Sequence, residues 1–299
     1  MTSKNIRLAV ISEGTSSWPL FVAEAKGFFK RAGVDVDMTV TGSSVRQLEQ
    51  LSAGGYEIGF QQSDHVVRAV ESGGDLFAFM AFAHAPELSL VVAPQIVSFE
   101  HLRGGTIVVD GARTGYALLL RKLLADRGLA ERDYRMQEFG GSQERQDAMR
   151  GGGGIATLLN PPFDRQLLAE GFGTLGSTRE FFPTYPGPVG AARRSWAAAN
   201  ADALRGFIRG MHDAFAWLKD ARHKAEAIAL LPPRLHMDEK VAALAFDDYI
   251  RQPVPAITAQ GMREVIDIVW DAAGYLSAKG DAEKYLDTRF LEQALAARA

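Results

Sequence analysis

Apolar and polar positions along the first half of the chain switch repeatedly between period two and the helical period. Ile6–Ile11 is an apolar run broken only by Arg7 and reads as a buried strand. Trp18, Leu20-Phe21-Val22, Ala25 and Phe28-Phe29 recur at helical spacing, with Gly33 close behind as a stop. Val34–Val40 alternates with period two and predicts a strand. Val45–Leu51 predicts a helix ended at Gly54-Gly55. Glu57–Phe60 predicts a short strand, His65–Glu71 a helix stopped by Gly73-Gly74, and Leu76–Phe82 another strand. Strands alternating with helices imply a mostly parallel sheet with helices on both faces, an α/β architecture.

Near residue 88 the pattern restarts. Strands are predicted at Leu88–Val92, Thr106–Asp110, Tyr134–Phe139 and Ala156–Leu159. Helices are predicted at Ser98–Leu102, Tyr116–Arg127 and Arg145–Arg150. The two stretches echo each other at an offset of 99 residues: Gly42-Ser43 falls on Gly141-Ser142, Arg46-Gln47 on Arg145-Gln146, and Gly54-Gly55 on Gly153-Gly154. Thr15 falls on Thr114, Leu8–Val10 on Ile107–Val109, and Gln61 on the second carboxamide, Asn160. The order and constant spacing read as two copies of one α/β module.

After Gly187 the character changes to helices, predicted at Asn200–Leu218, Ala221–Leu230, Asp238–Ile250, Ile257–Ala273 and Asp281–Ala296. The first has an apolar face through Leu204, Phe207, Ile208, Met211, Phe215 and Leu218. Helices without a sheet of their own must pack on an existing lobe. The expected division is therefore a discontinuous first lobe, residues 1–86 plus 187–299, with an inserted second lobe, residues 87–186. Two crossovers would join them.

Composition narrows the partners. A net charge of −3 gives no electrostatic case for nucleic acid or an anionic membrane. No segment is long enough for a transmembrane helix, so no membrane insertion is expected. The absence of cysteine excludes disulfides, a thiol nucleophile and Cys-ligated metals. The start Met1-Thr2-Ser3-Lys4-Asn5 runs straight into strand-like sequence, too short for a signal-peptide core. The expectation is a periplasmic protein if a leader was removed, and a cytoplasmic one otherwise.

In an open α/β sheet, ligands bind beyond the carboxyl ends of the strands, where loops turn into helices with free amide donors. The first module offers Ser12, Thr15 and Trp18, then Ser43, then Gln61, Ser63 and Asp64. The second offers Arg113, Thr114 and Tyr116, then Ser142, then Asn160 and Phe163. Ser12, Thr15, Ser43 and Ser142 fit N-caps as well as ligand contacts. Trp18 fits core or site. Arg113 fits a solvated turn charge or an anion clamp. His84, at the end of a strand near a crossover, is a further candidate. His101, His212, His223 and His236 lack paired metal-ligand spacing, so neither metal nor cofactor is expected. The glycines at 151–154 lack the Lys-Ser or Lys-Thr of a phosphate loop.

Four segments carry a family resemblance. Ala23-Glu24-Ala25-Lys26-Gly27-Phe28-Phe29 resembles an A-x-x-x-G-F-F/Y helix. Leu51-Ser52-Ala53-Gly54-Gly55-Tyr56-Glu57-Ile58-Gly59 resembles an L-x-x-G-x-x-D-I/V-G turn. Phe99-Glu100-His101-Leu102-Arg103-Gly104-Gly105-Thr106-Ile107 resembles F-x-D-L-K-G-K-x-I, and Leu158-Leu159-Asn160-Pro161-Pro162-Phe163 resembles a strand end that lines a cleft. As a set they resemble the type II periplasmic-binding-protein fold. Within it they resemble the sulfonate, taurine and thiamine-pyrimidine-precursor binders of ABC importers, the SsuA-like and NMT1/THI5-like group. The likeness covers about residues 6–220. Glu57 and, at the 99-residue echo, Ala156 stand where the group has an acid. The missing leader is a further departure.

The resemblance implies two α/β lobes, two hinge crossovers and a C-terminal helical extension. The implied function is capture of a small organic anion between the lobes, an aromatic or heterocyclic carboxylate or a sulfonate, for an ABC permease. The protein would be a monomer and not an enzyme. Two alternatives stand beside this. One is an enzyme on the same fold, a decarboxylase or lyase of aromatic acids using His84 or Asp64 as acid or base. The other is a cytoplasmic metabolite sensor. The cysteine-dependent enzymes of this fold are excluded by composition.

Overall fold

The computed structural model describes residues 4–83, 88–235, 237–273 and 275–296. Its strands are β1 (Lys4–Val10), β2 (Val34–Val40), β3 (Ile58–Gln61), β4 (Leu76–Ala81), β5 (Ser89–Val92), β6 (Thr106–Val109), β7 (Arg135–Glu138), β8 (Ala156–Leu159), β9 (Gly173–Ser177) and β10 (Val189–Arg193). They form two five-stranded sheets, ordered β2-β1-β3-β10-β4 and β7-β6-β8-β5-β9. By contact the chain divides into two units. The first is Met1–Ala83 with Pro186–Met262 and Asp281–Ala299; the second is His84–Tyr185 with Arg263–Gly280. The sequence reading keeps 187–299 whole. The contacts instead group Arg263–Gly280 with the second unit, where Thr184 Oγ1 donates to Glu264 Oε2 at 2.8 Å.

Within the first unit, β2, β1 and β3 are parallel, and β10 runs antiparallel between β3 and β4. The second unit repeats this: β7, β6 and β8 are parallel, and β5 runs antiparallel between β8 and β9. Each sheet is thus mixed, and its one reversed strand comes from the far side of a crossover. The sequence pattern shows neither β9 nor β10. Gly173-Thr-Leu-Gly-Ser177 carries glycine and hydroxyls, and the centre of β10, Gly190-Ala191-Ala192, is made of poor strand formers. Pairing on both sides, rather than local propensity, makes β10 a strand.

The first unit's core is closed by the helix Ala201–Leu218. Its predicted face, Leu204, Phe207, Ile208, Met211, Phe215 and Leu218, is entirely buried. Each such side chain contributes about 1.5–3 kcal/mol by leaving water. Gly206 and Gly210 let the helix approach the turn below it. A Cβ at Gly206 would lie 2.8 Å from the Ala32 carbonyl oxygen, and one at Gly210 would lie 2.5 Å from the Phe29 ring. Phe29 stacks on Phe207 with centroids 5.2 Å apart.

The expected helix over 281–296 is broken. Tyr285–Asp287 runs beside β4: Ala78 N donates to the Tyr285 carbonyl at 2.8 Å and Asp287 N to the Ala78 carbonyl at 2.9 Å. Only Arg289–Ala296 is α-helical.

The internal repeat is visible bond by bond. In the first unit Thr41 N donates to Val10 O, Glu57 N to Arg7 O, Gly55 N to Gln50 O and His65 N to Gln62 O. In the second, Phe139 N donates to Val109 O, Ile155 N to Thr106 O, Gly153 N to Ala148 O and Phe163 N to Asn160 O. The first strands correspond at an offset of 99 and the backbone from Thr41 and Phe139 onward at 98, because Val109 and Phe139 are one residue closer in sequence than Val10 and Thr41. The echo read from sequence is therefore one residue out beyond the first strand. Ser142 corresponds to Ser44, Arg145 to Gln47, Asn160 to Gln62, and the place of Glu57 is taken by Ile155.

Candidate ligand site

In both units the turns after the parallel strands lie at one edge of the sheet, and most of the predicted polar residues sit there. In the first unit, Ser12 is exposed and Thr15 half-buried beyond β1. Ser43 is the N-cap of the helix Ser44–Ala53, its Oγ accepting from Arg46 N at 3.3 Å.

Gln61, Ser63 and Asp64 are turned inward. Gln61 Oε1 lies 2.8 Å from His65 Nδ1, Ser63 Oγ donates to the Pro186 carbonyl at 3.1 Å, and Arg68 donates to Asp64 Oδ2 at 2.9 Å. All three are buried.

Trp18 is a core residue. Its ring meets Phe246 edge-on at 5.8 Å and Tyr249 at 5.7 Å, and its Nε1 donates to the Ala227 carbonyl at 3.1 Å. Apolar burial with a satisfied N–H is the usual arrangement for a core indole. His84 lies outside the described residues.

The second unit gathers more of its candidates. Thr114 caps the helix Gly115–Asp126, accepting from Ala117 N at 3.3 Å and donating to Asp110 Oδ1 at 2.6 Å. Ser142 opens the helix Ser142–Arg150 and donates to Asn160 Oδ1 at 2.5 Å, so the ends of β7 and β8 are tied together. Tyr116 is half-buried. Phe163 is half-buried against the cluster of Val91, Val108, Met149, Leu159 and Leu167. Arg113 is exposed and carries no ion pair among the described residues.

Two residues the sequence reading left out of the site belong to this edge. Arg145 is 2% exposed. Its guanidinium donates to the Gly140 carbonyl at 2.8 Å and to Ser142 Oγ and the Leu158 carbonyl at 3.2 Å each. Burial pushes its pKa below the ordinary arginine value; the Asp110 carboxylate and Tyr116 pull the other way. Asp110 ends β6. Asp110, Tyr116, Ala117, Leu120, Arg145 and Leu158 line a small cavity within the second unit. The sequence signal for Arg145 lay in its helix: Arg145 and Met149, four apart, share the buried face.

Among the described residues no helix is long and apolar enough to cross a membrane, and no cluster of three or more His, Asp or Glu could hold a metal ion.

Comparison with known proteins places these features in context. A family model described as NMT1/THI5 like matches residues 15–225. A bicarbonate transport ATP-binding protein, CmpC, of Synechocystis sp. is 25% identical over 251 residues, covering 77% of this chain and 38% of that protein. The chain therefore spans well under half the length of that relative.

Among solved structures, the alkanesulfonate-binding protein SsuA of Xanthomonas axonopodis pv. citri, bound to MOPS, matches with a TM-score of 0.77 at 17% identity, covering 96% of this chain and 100% of that one. The periplasmic nitrate-binding protein NrtA of Synechocystis PCC 6803 matches with a TM-score of 0.76 at 15% identity, covering 99% and 89%. These likenesses establish the type II periplasmic-binding fold.

Proposed function

The chain belongs to the NMT1/THI5-like family, and from that premise we propose that it is a solute-binding protein that captures a small organic anion, a carboxylate or sulfonate, for import by an ABC permease. Its place of action is then the periplasm, as for the binding proteins it resembles.

One observation carries the reading. At the carboxyl edge of the second sheet, Ser142 and Asn160 form a network of neutral hydrogen-bonding groups beside Arg145. Such groups recognise oxygen-rich ligands at small desolvation cost. Ser142 donates to a carboxamide oxygen, which is not a base, so its hydroxyl is held for binding rather than activated as a nucleophile. Asp64, the acid considered for catalysis, is buried and ion-paired to Arg68. Capture without chemistry fits both facts. Thr114, Tyr116, Ser142, Asn160 and Phe163 are the second unit's contacts in this reading.

A thermal-shift series tests it. Benzoate, nicotinate, methanesulfonate and taurine are compared with benzamide, nicotinamide, nitrate and bicarbonate. A ligand at one hundred times its Kd stabilises by about 2.7 kcal/mol, and each kcal/mol raises the melting point by about 2–4 °C in units of this size. At least one organic anion is expected to shift the transition by several degrees, and its neutral amide counterpart is not. Shifts by the inorganic anions alone, or equal shifts by acid and amide, would count against an organic anion as ligand.

A further inference from the structure

We propose that Arg145, rather than the exposed Arg113, is the residue by which the second unit selects for negative charge. The inference rests on the anion-binding reading above and deepens it by naming the group that meets the anion.

The first observation is electrostatic. Arg145 is buried, yet its hydrogen bonds go to two backbone carbonyls and one hydroxyl, all neutral, and it has no ion pair among the described residues. A buried cation is costly unless a counter-charge accompanies it, and arginine does not escape by losing its proton. The carboxylates nearby are Asp110 and Glu144. Asp110 already accepts the Thr114 hydroxyl at 2.6 Å, and Glu144 is exposed. Neither lies within ion-pair distance of the guanidinium.

The second observation is the repeat. The first unit's equivalent of Arg145 is Gln47, also fully buried. Gln47 Nε2 donates to the Ala9 carbonyl at 2.5 Å and to the Phe60 carbonyl at 3.3 Å. Phe60 and Leu158 are equivalent positions of β3 and β8, so both side chains tie their helix to the same point of the third strand. A carboxamide suffices for that tie. The positive charge in the second unit is therefore surplus to the structural task.

The third is placement. The guanidinium lies among the turns after β6, β7 and β8, and it lines the cavity shared with Asp110 and Tyr116. Arg113 has no such enclosure, so salt and water screen its charge.

The first unit supplies the test substitution. Arg145→Gln installs the side chain that the same architecture already uses at Gln47. Titration calorimetry would compare methanesulfonate with its uncharged isostere dimethyl sulfone, and benzoate with benzamide. The chains are wild type, Arg145→Gln, Arg145→Lys and Arg113→Gln, each checked for native circular dichroism. Loss of a charge-assisted bond corresponds to about a 10- to 100-fold effect.

The expected result is that Arg145→Gln reduces the preference for anion over neutral isostere by that factor while neutral binding stays. Arg145→Lys keeps part of the preference, and Arg113→Gln keeps nearly all of it. A preference that survives Arg145→Gln, or is lost in Arg113→Gln instead, overturns the assignment. So does an equal fall in both affinities, or an Arg145→Gln chain that does not fold while Arg145→Lys shows no charge preference, because Arg145 would then be only a structural tie. Wild-type protein that binds neither anion better than its neutral partner overturns the anion reading itself, and this inference with it.

Discussion

Trp18→Ala is expected to lower the stability of the first unit by about 3–5 kcal/mol, the range for removing a large aromatic from a packed core. The indole links the start of the chain to segments more than two hundred residues later. Its ring contacts Phe246 and Tyr249, and its N–H is bonded to Ala227. Replacement by alanine opens a cavity where the helices Lys224–Ala229 and Glu239–Arg251 meet the N-terminal module, and removes the indole donor from the Ala227 carbonyl, which keeps only the Leu230 N–H. Trp18→Phe refills most of the space but not the hydrogen bond, so it is expected to recover more than half of the loss. Urea denaturation followed by circular dichroism measures both. A Trp18→Ala loss below about 1 kcal/mol would contradict a core role, because it falls outside the range for large-to-small core changes.

Gly190→Ala is expected to cost about 1–3 kcal/mol, the penalty of overpacking. Gly190 lies on β10, where the pairing with β4 slips between Gly190 and Ala191. A Cβ there would stand 2.5 Å from Phe79 Cζ and 2.8 Å from its Cε2. The Phe79 ring has little room to yield, since it is buried and packed edge-on against Phe207 at 6.2 Å. Glycine in a strand interior often marks such a close approach. Phe79→Leu in the same chain should recover part of the loss, so the two changes should be non-additive in a double-mutant cycle. Melting points of the four chains check this, and a Gly190→Ala chain as stable as wild type would contradict the packing.

Much of this fold was legible in the sequence, and the gaps have physical causes. The alternation through β1 to β4 and the buried face of Ala201–Leu218 follow from periodicity, because those elements bury what their own pattern displays. β10 did not show, because Gly190-Ala191-Ala192 has no strand pattern until β3 and β4 pair with it. Leu286 beside Ala78 was hidden inside what reads as a helix for the same reason. The repeat was visible, but its register was not. Val109 and Phe139 are one residue closer in sequence than Val10 and Thr41, and this moves the partner of Arg145 from Arg46 to Gln47. At the carboxyl edge of the second sheet, Thr114, Ser142 and Asn160 were legible as turn residues because hydroxyls and carboxamides mark strand-to-helix turns. Arg145 was not, because a charged residue on a short polar helix reads as solvated until burial is known. Trp18 fitted either role by sequence, and its hydrogen bond to Ala227 fixes it as core.

The central claim is reversible capture of an organic anion without chemistry. It is tested most directly by titrating the organic acid with the largest thermal shift into the intact chain, then recovering the compound for proton NMR after overnight incubation. Saturable binding of a single molecule per chain, with the compound recovered unchanged, is the predicted result. Conversion of the compound, or no saturable binding by any organic acid of the series, would contradict it.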